Sequence, residues 1–354
     1  MPPRDLVRLL IDKGVLTDQR VADAMAAVPR ELFVPDDRRE EAYADKVLVT
    51  KWDDAGVAIS SASQPAMVAI MLEQLRLDPG HSVLEIGAGT GYNAALLGRL
   101  ADQVVTVDID EDIAREARDR LAGVTNVEVR AGDGWAGAPD RAPYDRIELT
   151  IGTSDISVAW RDQVADGGLL VLPLWLRVGV QLSVAFRRDG DVLRSESVRD
   201  CGFQRFRGPN SGPEGFVAVG GGEFVVLDDA SDAAPLRDVL RHSPREERAP
   251  VVDPGVFARI ALDEPRTLAL SDLSGALRPG LYDAGGAVVL DNERMLTYGS
   301  PAARDRLIYR LSTTRPLDRS RLRVTAAFTD LLPPPSQGWR FVRRSCVVDV
   351  AEGP

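Results

Sequence analysis

The stretch "SVLEIGAGTGY", from Ser82 to Tyr92, decides the fold of this chain. Its first residues, rich in Val, Leu and Ile, predict a short buried strand, and the glycines after them favour a tight turn into a helix. Gly87, Gly89 and Gly91 permit positive φ and close approach of a ligand to the backbone. The stretch therefore predicts an α/β fold with a nucleotide-type crevice at the carboxyl end of a strand.

Helices and short apolar strands alternate outward from this turn. A helical pattern at residues 66–75 precedes it, and strand patterns follow at 104–109, 127–133, 144–152 and 167–176. Two more strand patterns surround Asp189 and Gly190 and predict a terminal hairpin. We expect a Rossmann-like fold, with a mostly parallel seven-stranded sheet and helices on both faces.

Two domains are expected from the length of 354 residues. Residues 1–212 form the predicted catalytic domain, which begins with two amphipathic helices within residues 4–28, the second capped by Thr17. A turn-rich linker at residues 207–215 leads to a predicted α+β domain, residues 213–354. This second domain carries no catalytic motif.

Composition narrows the class of protein. The formal charge of −11 argues against a nucleic-acid partner, because phosphate contacts need clustered Lys and Arg. The chain has no apolar run long enough for a membrane helix and no signal-peptide pattern at its start, so we expect a cytoplasmic protein without a membrane partner. Two cysteines and two histidines, all isolated in sequence, argue against a metal site, a disulfide framework or a histidine-dependent triad.

The glycine turn selects the kind of nucleotide. In a dinucleotide fingerprint the third glycine comes one residue later, where this chain has Tyr92. The dehydrogenase alternative is therefore weak. S-adenosylmethionine carries no phosphate but has a sulfonium and an ammonium, which Glu85 could attract directly or through water.

Further cofactor-binding residues are expected at the ends of the next two strands. Asp108 ends the second strand, where it can accept hydrogen bonds from the ribose hydroxyls, with Ile109 beside it. Asp133 ends the third, where it can accept from the adenine amino group, and Gly132 and Gly134 permit close approach. Singly, such acids more often cap turns or helices; in this order they favour a class I S-adenosylmethionine-dependent methyltransferase.

Residues 4–205 resemble the protein-L-isoaspartate O-methyltransferase family. The segments that carry the resemblance are "VPRELFVP" at 28–35, "AYAD" at 42–45, "SASQP" at 61–65, "VLEIGAGTGYNAALL" at 83–97 and "AGDG" at 131–134. The resemblance implies methyl transfer from S-adenosylmethionine to an aspartyl or isoaspartyl side-chain carboxylate in a peptide or protein. The methyl ester then cyclises to a succinimide.

The same resemblance places the catalytic serine at Ser63. Ser61 takes the family's threonine position and Ala62 its isoleucine; these three and Gln64 are expected to contact the cofactor as well. A carboxylate is already ionised at neutral pH, so no general base is needed, and Ser63 would hold the substrate by its hydroxyl. The simpler interpretation is that Ser61 or Ser63 caps the helix that begins near Pro65.

Three departures from the repair enzymes bear on the substrate. They are the charged segment "TKWDDAGVAIS" at 50–60, the segment "CGFQRFRG" at 201–208 in place of F-V-P-L, and the added second domain. These features resemble the branch that matures ribosomal peptides, lanthipeptides and graspetides, by methylating a normal aspartate that collapses to aspartimide. We therefore expect a precursor-peptide methyltransferase, with isoaspartate repair and a non-catalytic peptide-binding module as alternatives. Oligomeric state stays open.

Arginines are concentrated near the end of the chain, with ten against four acidic residues between Pro301 and Val350. One interpretation is a solvated face with extended side chains. The other is a docking surface for an acidic peptide, because Arg pairs with carboxylates through two parallel hydrogen bonds.

Overall fold

The structure, a computed structural model, describes residues 3–54, 56–220, 222–271, 277–328 and 337–353. Its α-helices are α1 (Pro3–Asp12), α2 (Gln19–Ala27), α3 (Pro65–Leu75), α4 (Tyr92–Leu100), α5 (Glu111–Arg120), α6 (Val158–Gln163), α7 (Ala233–Leu240), α8 (Pro254–Asp263) and α9 (Ala302–Thr313). Within the described ranges no helix is both long and apolar enough to cross a membrane. The cytoplasmic location stays a prediction.

The strands form two sheets and a separate hairpin. The hairpin consists of β1 (Leu48–Trp52) and β2 (Ala58–Ala62). The larger sheet contains β3 (Ser82–Ile86), β4 (Gln103–Asp108), β5 (Val127–Ala131), β6 (Tyr144–Leu149), β7 (Val164–Arg177), β8 (Val180–Asp189), β9 (Val192–Asp200), β17 (Leu322–Ala327), β18 (Trp339–Val342) and β19 (Val347–Glu352). The smaller sheet contains β10 (Gly215–Gly220), β11 (Glu223–Leu227), β12 (Arg245–Arg248), β13 (Thr267–Ser271), β14 (Leu277–Tyr282), β15 (Gly286–Asp291) and β16 (Arg294–Gly299).

The larger sheet is parallel at one end and antiparallel at the other. Its order is β18-β19-β17-β9-β8-β7-β6-β3-β4-β5, and the run from β7 to β5 is parallel. The strands β8 and β9 form the predicted hairpin. The expected seven strands are those from β3 to β9, but the described part of the chain forms ten strands in this sheet, because β17 pairs antiparallel with β9, and β19 and β18 follow it.

Side chains of the parallel strands alternate between two cores, one on each face of the sheet. In β3, Val83 belongs to the core formed with α1 to α5, whereas Leu84 and Ile86 belong to the opposite core with Trp160 of α6 and Phe257 of α8. A parallel strand buried on both faces needs this continuous apolar sequence. The prediction of helices on both faces is therefore met.

The second helix begins one residue later than the predicted cap. Asp18, not Thr17, is the N-cap of α2, and its carboxylate accepts from the backbone N–H groups of Arg20 and Val21. The hydroxyl of Thr17 donates instead to Glu73 of α3 at 3.0 Å. The prediction of Thr17 as the cap is wrong because a long-range partner takes its side chain.

The smaller sheet is antiparallel and lies wholly between residues 215 and 299, with α7 packed on β15 and β16. This is the strand-rich, helix-covered part that the sequence predicted after the linker. The division at residue 212 itself stays a prediction. However, β17 to β19 belong to the sheet of the first domain, so the chain crosses to the second region and returns.

The arginine-rich segment is internally paired. All ten arginines between residues 301 and 350 donate to, or form ion pairs with, groups of this chain. Six pair with carboxylates: Arg304 with Glu247, Arg306 with Glu264, Arg310 with Asp263, Arg315 with Glu352, Arg319 with Asp200 and Arg340 with Asp349. The others donate to carbonyl oxygens: Arg321 to Gly353, Arg323 to Leu322, Arg343 to Trp175 and Leu176, and Arg344 to the Asn210 side chain. These pairs favour the interpretation of a structural face over that of a docking surface.

Candidate active site

The glycine turn between β3 and α4 forms the centre of the site. Gly87, Gly89 and Gly91 have φ of 102°, 51° and 87°, in the region that glycine alone adopts freely. The Gly87 N–H donates to the carbonyl of Val107 at 2.8 Å, which fixes the turn against β4. A Cβ on Gly87 would lie 2.6 Å from Thr150 Oγ1, so the turn also needs glycine for space. It leaves a crevice at the carboxyl ends of the strands.

Asp108 closes the next side of this crevice. At the end of β4, its Oδ2 accepts from the Gly89 N–H at 3.0 Å and its Oδ1 from the Asp110 N–H at 3.1 Å. Burial raises the pKa of Asp108, and these two hydrogen bonds together with the charge of Arg207 oppose that rise. The carboxylate is thus oriented by the backbone before any ligand arrives.

A cavity of about 430 Å³ extends from this crevice, within the roughly 300–1,000 Å³ usual for small-ligand sites. Of the predicted residues, Ser61, Ser63, Gln64, Gly87, Gly89, Asp108, Ile109 and Gly134 line it. Ala62, Glu85, Gly91, Gly132 and Asp133 do not line it. The cofactor half and the serine half of the predicted site therefore share one cavity.

The serines are not the cap of α3. The N-cap residue is Gln64, which makes no side-chain capping bond. The backbone N–H of Ala66, in the first turn of the helix, donates instead to Asp45 Oδ1 at 3.0 Å. Asp45 belongs to the "AYAD" segment. No described residue forms a hydrogen bond with the hydroxyl of Ser61 or Ser63, so both hydroxyls are free for a ligand in the cavity.

Arg30 fixes the backbone that carries these serines, and sequence reasoning missed it. Its guanidinium is fully buried and donates to the carbonyls of Ala42, of Ala62 at 3.3 Å and of Ser63 at 2.9 Å. The guanidinium carbon also lies 5.8 Å from the ring centre of Tyr92, a residue of the cavity wall. Burial lowers the pKa of Arg30. Arg30 lies in the "VPRELFVP" segment, which contributed to the family resemblance, but no role was predicted for any residue of that segment.

The segment after β9 supplies the far wall of the cavity. Residues 200–207 all line it, including Arg205 and Arg207. Phe206 is buried there, with its ring centre 5.7 Å from that of Trp135 and 5.9 Å from that of Trp160. The sequence of this segment differs from that of the repair enzymes, but its position in the wall of the cavity was not predicted.

Asp133 lies at the end of β5, as expected, but both of its oxygens already have partners. Oδ1 accepts from the Trp135 N–H at 2.9 Å and Oδ2 from the Asn210 side chain at 3.2 Å. A Cβ on Gly134 would meet Ile86 at 2.4 Å, whereas one on Gly132 would meet nothing within 4 Å. Of the two glycines, only Gly134 lies where a larger residue would clash. The role of Asp133 in binding adenine stays a prediction.

Glu85 is fully buried beneath the turn rather than exposed to the cavity. Its oxygens accept from Asn93 Nδ2, at 2.8 Å, and from the Thr106 hydroxyl. Its neighbour on β6, Glu148, does line the cavity. Sequence reasoning missed Glu148, although an acid between the apolar residues Ile147 and Leu149 of a predicted strand was a visible signal.

Fold and site together define a class I S-adenosylmethionine-dependent methyltransferase. The glycine turn, Asp108 and Asp133 follow one another at successive ends of parallel strands, and the cavity lies beside the turn and Asp108. The sequence model of the protein-L-isoaspartate(D-aspartate) O-methyltransferase family matches residues 2–204, and the chain belongs to that family.

Curated relatives agree with this membership. A protein-L-isoaspartate O-methyltransferase of Roseiflexus sp. (strain RS-1) is 42% identical over 202 residues, which are 56% of this chain and 89% of the relative. The enzyme of the same name from Methanoregula boonei is 43% identical over 202 residues, 56% of this chain and 90% of its own. The predictions of a carboxyl methyltransferase and of S-adenosylmethionine as its cofactor are confirmed.

Two solved structures extend the comparison. A protein-L-isoaspartate O-methyltransferase structure matches 91% of this chain and 95% of its own, with a TM-score of 0.54 and 26% identity. The family enzyme of Plasmodium falciparum, solved with S-adenosyl-L-homocysteine, shares the fold at 17% identity and a TM-score of 0.51 over 58% of this chain and 99% of its own. Because the first match spans nearly the whole chain, the region after residue 212 does not by itself separate this protein from isoaspartyl methyltransferases.

Proposed function

We propose that this protein methylates the free α-carboxylate of isoaspartyl residues in proteins. The observation that carries the proposal is the single cavity lined by the glycine turn and Asp108 on one side and by Ser61 and Ser63 on the other. The curated relatives are named for this activity. The alternative of isoaspartate repair is thus preferred over the maturation of a precursor peptide.

The residues present fit the cofactor. Asp108 faces the cavity with its carboxylate already oriented, and the turn at Gly87 and Gly89 leaves room that side chains would fill. Asp108 would hold the ribose hydroxyls and Ile109 would contact the base. When bound, the cofactor would supply a methyl group on a positively charged sulfur; the substrate's carboxylate oxygen would accept this methyl group, and the electron pair of the broken C–S bond would stay on the sulfur.

Ser63 and Ser61 position the substrate in this reaction. The substrate's free carboxylate, with a reference pKa of about 4 or below, arrives ionised, so the serine hydroxyls need only donate hydrogen bonds that orient one of its oxygens. Neither histidine lines the cavity, and none is required. Met67, Val68 and Met71 of α3 form an apolar wall that removes water from the nucleophile.

The hairpin of β1 and β2 is expected to control which residue enters. Its second strand carries Ser60 and Ser61, and its first strand carries Lys51, whose ammonium lies 2.9 Å from the carboxylate of Asp110 just after β4. Trp52 at the tip is 53% exposed. The hairpin is thus tied to the cofactor side of the site while its tip faces solvent, where a peptide backbone would approach.

Maturation of a ribosomal precursor peptide is the second candidate. It is favoured by the charged composition of this hairpin, "TKWDDAGVAIS", which differs from the glycine-rich segment that the resemblance leads one to expect. The same site would then methylate a normal aspartate, and the ester would lose methanol to form aspartimide.

Two peptides of identical sequence, one with aspartate and one with isoaspartate, separate the candidates. Each is incubated with enzyme and S-adenosylmethionine, and mass spectrometry follows the gain of a methyl group and the later loss of methanol. The proposal predicts methylation of the isoaspartyl peptide with little reaction at the aspartyl one. Exclusive reaction at a normal aspartate, in a precursor peptide encoded near this protein, would contradict it.

A further inference from the structure

A buried pair of glutamates lies at the wall of the cavity, and the proposed reaction does not use it. Strand pairing places Glu85 of β3 beside Glu148 of β6, and neither side chain has exposed surface. Asn93 of α4 joins them, because its Nδ2 donates to Glu85 at 2.8 Å and to Glu148 Oε2 at 2.7 Å. One amide therefore serves two carboxyl groups.

The two glutamates differ in whether all of their carboxyl oxygens have hydrogen-bond partners in the protein. Both oxygens of Glu85 have protein partners, in Asn93 and Thr106, and Glu85 does not line the cavity. Glu148 lines the cavity, and its Oε1 has no hydrogen-bond partner within the described part of the chain. A buried oxygen without a partner is costly, so its presence at a ligand cavity points to a donor supplied by the ligand.

We propose that Glu148 binds the α-ammonium of the cofactor's methionine part, the role that the sequence suggested for Glu85. The inference rests on the proposed function. An ammonium is a compact donor of up to three hydrogen bonds and matches an unpartnered carboxylate oxygen. The sulfonium is a poorer match, because an ionised carboxylate beside the transferable methyl group would itself compete as a methyl acceptor.

The protonation of the two glutamates should make binding of the cofactor detectable as the release of a proton. Burial raises the pKa of Glu85 to about 7, and burial together with the nearby Glu85 raises the pKa of Glu148 to about 8. The charge of Asp108 raises the pKa of Glu85 further. Two other neighbours carry no titrating group: Asn93 does not titrate, and the residue paired with Glu148 on β7 is the apolar Val171. Near pH 7 the pair thus retains a proton, and an arriving ammonium favours the ionised form. Cofactor binding should release a proton.

Titration calorimetry at pH 7, in two buffers of different ionisation enthalpy, measures both affinity and proton release. The ligands are S-adenosylmethionine and S-adenosylhomocysteine, which share the ammonium but not the sulfonium. Wild-type protein should bind both with proton release. Glu148→Gln should weaken both by roughly ten- to a hundred-fold, the range expected for a lost hydrogen bond to a charged group, and should abolish the release. Glu85→Gln is the matched control and should weaken both much less.

Thermal unfolding shows whether a loss of binding is local. Glu148→Gln removes a buried carboxyl group of the same shape, so its melting temperature should equal or exceed that of wild type. If it fails to fold, Glu148→Asp, which withdraws the carboxylate from the ligand, should show the weaker affinity. Unchanged affinity in either folded variant, or weakening for S-adenosylmethionine alone, would overturn the inference. A wild-type protein that binds the cofactor but methylates no isoaspartyl peptide would instead refute the proposed function.

Discussion

Replacing Arg30 with methionine tests whether the serines owe their position to this residue. The change keeps an apolar stem but removes the guanidinium that donates to the carbonyls of Ala42, Ala62 and Ser63. Those carbonyls belong to the chain on either side of the β1 and β2 hairpin. The segment from Ala62 to Ser63 would therefore lose the two hydrogen bonds that join it to Arg30.

The size of the effect follows from the burial of these groups. Each buried acceptor left without a donor costs about 1–3 kcal/mol, and three such acceptors would cost about 3–9 kcal/mol if none found a substitute. Part of this loss is offset, because the substitution also removes a buried charge. Burial lowers the pKa of Arg30, which shows that its charged form is destabilised in the folded protein. We expect a net loss of about 3–5 kcal/mol in the free energy of unfolding.

Denaturant unfolding and steady-state methylation of an isoaspartyl peptide measure the two consequences. Arg30→Met should lower kcat at least about tenfold, since misplacing a reacting group costs that much or more. Cofactor affinity should change little, because Gly89 and Asp108 are held by separate hydrogen bonds. Arg30→Lys should recover part of both, since an ammonium keeps the charge but lacks the planar fork.

Arg39→Met is the control, because Arg39 is exposed and forms an ion pair with Asp36 on the surface; it should change the unfolding free energy by less than about 0.5 kcal/mol. Wild-type stability and turnover in Arg30→Met would refute the reasoning.

Three further predictions concern the cavity and the sheet. Ser63→Ala should keep cofactor affinity and lower turnover, whereas Asp108→Asn should weaken cofactor binding, as calorimetry and steady-state kinetics would show; equal loss of affinity in both would contradict the assigned roles. Gly87→Ala should destabilise the protein and weaken cofactor binding, while Gly132→Ala, where a Cβ has open space, should melt like wild type. A chain ending at residue 212 should aggregate, because it exposes the edge of β9 that β17 covers; a monodisperse, active fragment in light scattering would show that the first domain is independent.

The parallel half of the fold was predictable because its signals are local. Residues 82–92 combine an apolar strand and a glycine turn within a few residues, and Asp108 follows at the end of the next strand. These features depend on neighbours in sequence, and the structure places Gly87, Gly89 and Asp108 around one crevice. The order of the strand ends then follows from the parallel topology.

The features that sequence reasoning missed depend on contacts between distant segments. The pairing of β17 with β9 joins residues more than a hundred positions apart, and nothing in either segment specifies its partner. Thr17 has the composition of a cap, but Glu73 competes for it. Arg30 is an ordinary charged residue in sequence and becomes informative only once its three carbonyl partners are known.

The proposed function requires that one cavity bring the cofactor's reactive sulfur to the Ser61–Ser63 segment. A crystal structure of the protein with S-adenosylhomocysteine tests it most directly. We expect the ribose hydroxyls to contact Asp108 and the thioether sulfur to face the hydroxyl of Ser63 across the space left for a carboxylate. A ligand bound elsewhere, or with its sulfur turned away from these serines, would contradict the roles proposed for Asp108 and Ser63.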